Sequence, residues 1–81
     1  MIVLINSKNQ FNTHKHPTTP EVYQLIMGSL KINLFNNKKK KVKTIMMNKK
    51  NELFSINKNQ YHVVIPTTKV AIFHETKSFV S

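Results

Sequence analysis

The feature that most constrains this chain is a hydrophobic period of two that runs through nearly all of its 81 residues. Apolar residues that alternate with polar ones place one face of an extended strand in a core, whereas a helix repeats every 3.6 residues. Leu30, Ile32 and Leu34 alternate with Lys31 and Asn33, and Val70, Ile72 and His74 share one phase of a later segment. Strand-like runs are predicted at Ile2–Ile5, roughly Phe11–His16, Glu21–Met27, Leu30–Leu34, Val42–Met47, Leu53–Ile56, Tyr61–Ile65 and Val70–Thr76. Turn signals separate them: Gly28-Ser29, Asn36-Asn37 with Lys38 to Lys41, Asn48 to Asn51, and Asn57 to Gln60. About eight short antiparallel strands with turns every six to twelve residues predict an all-β sandwich or small barrel. No segment carries a capped helical pattern, and the length allows one domain, residues 1–81.

Composition narrows the chemistry. Forty percent of residues are apolar, enough for a packed core. Cysteine is absent, which excludes disulfides, thiol nucleophiles and thiolate metal ligands. The longest apolar run, Ile2–Ile5, is too short for a membrane span or a signal-peptide core, so a cytoplasmic location is expected. The formal net charge is +10, from 13 lysines and no arginine against three glutamates and no aspartate. Lysine neutralises phosphates as a point charge, but base-specific contacts favour the planar arginine fork. A sequence-specific nucleic-acid partner is therefore not expected. The Lys38–Lys41 run reads as a solvated hairpin tip or as a contact for an anionic polymer.

His14-Lys15-His16 is the most informative tripeptide. Residues i and i+2 of a strand point to the same face, so the two imidazoles converge. Pro17-Thr18-Thr19-Pro20 then forms a turn, and Glu21 opens the next strand within reach of the pair. Imidazole plus carboxylate suits zinc, iron, manganese, nickel or copper. His62 in the Tyr61–Ile65 segment is a candidate third nitrogen. If Glu21 faces inward, Tyr23, Leu25 and Met27 share its face; Tyr23 then reads first as a core tyrosine and second as a candidate proton-transfer group. His74 is a second polar candidate for the interior.

The spacing His14-x-His16, four residues, Glu21, six residues, Gly28 resembles the first motif of the cupin superfamily. From His14 to Phe35, and again at Gln60–Pro66 and Phe73–Lys77, the chain is similar to WbuC-type cupin-fold metalloproteins. The second cupin motif usually carries Pro-x-Gly before its histidine; here those positions are Asn57 and Asn59, and asparagine tolerates left-handed backbone. The resemblance implies a single-domain double-stranded β-helix, or jelly-roll barrel. It implies a divalent metal (Zn, Fe, Mn or Ni) on His14, His16, Glu21 and His62, with Tyr23 as the catalytic candidate. It further implies a small sugar-like ligand, a setting in surface-polysaccharide or nucleotide-sugar metabolism, and a homodimer. Whether the chain is an enzyme of isomerase or epimerase type stays open. One alternative is a metal-independent sugar isomerase or epimerase using paired histidines; the other is a non-enzymatic small-molecule-binding or structural cupin.

Overall fold

Seven strands, all antiparallel, make two sheets in a computed structural model that describes residues 1–6 and 19–77. They are β1 (Ile2–Asn6), β2 (Glu21–Met27), β3 (Leu30–Phe35), β4 (Lys41–Met47), β5 (Leu53–Ile56), β6 (Tyr61–Pro66) and β7 (Val70–Lys77). Each matches a run predicted from the period-two pattern to within two residues. The segment expected at Phe11–His16 lies outside the described residues, and with it His14 and His16.

One sheet has the order β1-β7-β2-β5 and the other β4-β3-β6. Among the described residues no strand pairing joins the two sheets. Their inner faces close on a common core. Tyr23, Leu25, Ile56 and Phe73 come from the four-stranded sheet, and Leu30, Ile32, Met47 and Val64 from the other. All eight are essentially inaccessible. Burial of side chains this size contributes about 1.5–3 kcal/mol each, which is what fixes the strand registers.

Turn chemistry sets the strand ends. Gly28 has φ +76, a left-handed conformation that side chains other than hydrogen strain to adopt. A Cβ there would also run into the Val70 carbonyl and the Thr68 hydroxyl. That close approach lets the β2–β3 and β6–β7 turns lock together: Ser29 N–H donates to Thr68 Oγ1 at 3.0 Å, and Thr67 N–H to the Ser29 carbonyl at 2.9 Å. Asn51 and Asn59 take left-handed conformations at φ 67 and 64. Asn59 thus supplies a left-handed backbone geometry that glycine adopts without strain.

Two phase expectations are corrected. Met27 does not share the inner face with Glu21 and Tyr23; it is 53% exposed. The pairing of β2 with β7 slips between Leu25 and Met27, so Ile26 is an extra residue and the strand's last side chain is turned outward. On β7, Phe73 rather than His74 faces the core. Tyr23 pairs with Glu75 and Leu25 with Phe73, which puts Phe73 and Glu75 inward, whereas His74 pairs with Ile2, whose side chain is exposed.

Candidate functional site

At the end of the sandwich where β2 begins, four polar side chains meet in an otherwise apolar interior. Tyr23 and Glu21 come from β2, Glu75 from β7 and His62 from β6 across the sandwich. Tyr23 and His62 are almost wholly buried and Glu21 nearly so.

The Tyr23 hydroxyl lies 3.0 Å from His62 Nε2, and His62 Nδ1 lies 3.0 Å from the Gln60 carbonyl oxygen. A carbonyl only accepts, so Nδ1 carries a proton directed at Gln60, while Nε2 and the Tyr23 hydroxyl share the second contact. The Tyr23 ring packs edge-on against the imidazole, centroids 6.0 Å apart, and tilted against Phe73 at 5.1 Å. Aromatic packing thus fixes the phenol that caps the imidazole.

The carboxyls stand beside this pair. Glu75 is pushed up to about 7 by burial first, and then by its hydrogen bond and charge repulsion with Glu21; His62 and the terminal ammonium of Met1 pull the other way. Two carboxyls in contact do not both ionise cheaply, so the pair holds a proton near neutrality. Burial raises the Tyr23 phenol far above its ordinary range, and the charges of Glu75 and Glu21 add to the effect. Glu75 Oε2 is enclosed without a hydrogen-bond partner among the described residues. Leaving such an acceptor unsatisfied costs about 1–3 kcal/mol.

Of the residues singled out in the sequence, Glu21, Tyr23 and His62 therefore occupy one buried cluster. His14 and His16 lie outside the described residues. Glu75 was not singled out, because its place on the inner face depends on the β2–β7 register. His74 sits outside, its Nδ1 2.9 Å from Thr76 Oγ1.

The donor set can be tested against a metal. A histidine that ligates through Nε2 characteristically donates its other N–H to a backbone carbonyl, and His62 does so through Gln60. Glu21 is an inward hard oxygen donor in the same cluster. Those two fit an ion of the zinc-to-manganese range, but they do not complete a site. Among the described residues no three His, Cys, Asp or Glu side chains are placed to hold an ion. An open groove of about 510 Å³ lies at the opposite end of β2, lined in part by Met27, Gly28 and Ile72, and does not reach this cluster.

No protein-family model, no curated protein and no solved structure matches this chain. Among the described residues no helix is long and apolar enough to cross a membrane.

Proposed function

We propose that the chain is a small jelly-roll metalloprotein of cupin type whose metal is held by Glu21 and His62 together with His14 and His16. The observation that carries this reading is the burial of Glu21 and His62, 41 residues apart in sequence, in one polar cluster with His62 Nδ1 held by the Gln60 carbonyl. Strand order supports it: β1-β7-β2-β5 over β4-β3-β6 is what seven strands of an eight-stranded jelly roll would show, the eighth lying beside β6. A His-x-His strand added at that edge would sit next to His62. A metal bound there supplies Lewis-acid polarisation of a carbonyl or hydroxyl of a small sugar-like ligand. On the protein side, the Gln60 carbonyl orients the imidazole through Nδ1, the Tyr23 ring packs against it, and Glu75 holds a proton next to Glu21. The ligand's setting in polysaccharide or nucleotide-sugar metabolism, and pairing of two copies, follow from the resemblance to WbuC-type proteins.

Metal content tests this reading. Untagged protein is expected to retain about one divalent ion per chain, and Glu21→Gln, which removes a ligand, to lower affinity by more than the about 10- to 100-fold that loss of an outer-shell partner costs. Stoichiometry near zero in both, with melting unaffected by chelator, would contradict it.

One observation favours a second reading. Tyr23 occupies the Nε2 atom that a metal would need, so a metal-independent site would use the Tyr23–His62 pair to pass a proton to and from a sugar carbonyl. Activity that survives chelation but is lost in His62→Gln would identify it.

A further inference from the structure

The sandwich places its charges in an unusual way. Six of the 13 lysines (31, 38, 39, 40, 41 and 43) fall in the β3–β4 hairpin, which contains no carboxylate. The three glutamates are committed elsewhere. Glu21 and Glu75 belong to the interior cluster, and Glu52 accepts the backbone N–H groups of Asn48 and Lys49 at 3.2 and 3.1 Å. Lys38, Lys39, Lys40, Lys41 and Lys43 are exposed, and the hairpin itself offers them no carboxylate.

The tip that carries four of them is built, not slack. Asn36 Oδ1 accepts N–H from Lys38 at 2.9 Å and from Lys40 at 3.0 Å. Asn36 N–H donates to the Lys40 carbonyl, and Lys39 N–H to the Asn36 carbonyl, both at 2.9 Å. Lys39 takes φ 61 to close the turn. Four exposed ammonium groups are therefore presented from an ordered backbone. Their mutual repulsion is relieved by an anion, and part of the ordering cost of binding is already met.

We propose that the β3–β4 hairpin is a docking surface for the phosphate backbone of nucleic acid, engaged without base specificity. Lysine ammoniums neutralise phosphates as point charges and carry no base code. The tip, Asn36 to Lys41, has no apolar side chain to insert into a bilayer. A polymer of regularly spaced phosphates engages all four cations at once.

The test is a salt titration of binding to a mixed-sequence single-stranded oligonucleotide and to a duplex. Four phosphate contacts predict a slope of log K against log salt of about −3 for the single strand. Replacing all four lysines (K38Q, K39Q, K40Q, K41Q) should weaken binding at least tenfold at low salt and flatten the slope by about 3. The charge-matched variant K49Q, K58Q, K69Q, K77Q should keep most of the slope. Undetectable binding at about 50 mM salt would overturn the proposal, as would equal losses in the two quadruple variants. So would competition by inorganic pyrophosphate at matched phosphate concentration, or tighter binding to anionic vesicles than to either oligonucleotide. Circular dichroism confirms that both variants are folded.

Discussion

Glu75 shows how one side chain couples this site to pH. Its carboxyl is packed against Glu21 and Tyr23 and holds its proton to about pH 7, where an ordinary glutamate gives it up near 4.5. The protonated form is thus favoured by folding. The stability this contributes is fully present below pH 4.5 and is lost as pH rises through 7, because the unfolded chain releases the proton first. The loss is on the order of 1–2 kcal/mol once solvent access to the carboxyl is allowed for. Urea unfolding of chelator-treated protein should show wild type losing stability between pH 5 and 8 relative to Glu75→Gln. Parallel pH profiles for the two proteins would contradict this assignment. Glu21, Tyr23 and His62 were legible in the sequence because residue type and spacing single them out. Glu75 was not, because nothing in its neighbourhood says which face of β7 it takes.

Elements carry that missing information through register. A period of two fixes which residues share a face but not which face is buried, and a slip of one residue exchanges them all. On β7 the choice is made by pairing with β2, where Tyr23 opposite Glu75 and Leu25 opposite Phe73 bring the larger ring inside. The slip after Leu25 then frees Met27 from the core. Turns were more legible than faces, since Gly28, Asn51 and Asn59 declare left-handed backbone by residue type. Gly28 has a second role in the close contact between turns, so Gly28→Ala combines conformational strain with a backbone clash. It should destabilise the fold by about 2–4 kcal/mol in equilibrium unfolding. A change below about 0.5 kcal/mol would mean that the two turns separate at little cost.

At the scale of the whole molecule, two sheets enclose one core, with a polar cluster at one end and interlocked turns at the other. The period of two and the turn spacing were enough to read an all-β sandwich and the bounds of its seven described strands. Strand order was not readable, because it depends on contacts between segments distant in sequence. That order is what makes β6, and His62 on it, a neighbour of β3. The proposed ion lies where Glu21 and His62 face the same interior. Diffraction from untagged crystals, recorded on both sides of a metal absorption edge, tests this most directly. The predicted result is an anomalous peak about 2.0–2.2 Å from His62 Nε2 and from a Glu21 oxygen, with His14 and His16 completing the shell and the Tyr23 hydroxyl moved off Nε2. No peak at that position, with the Tyr23 hydroxyl still bonded to Nε2, would contradict it.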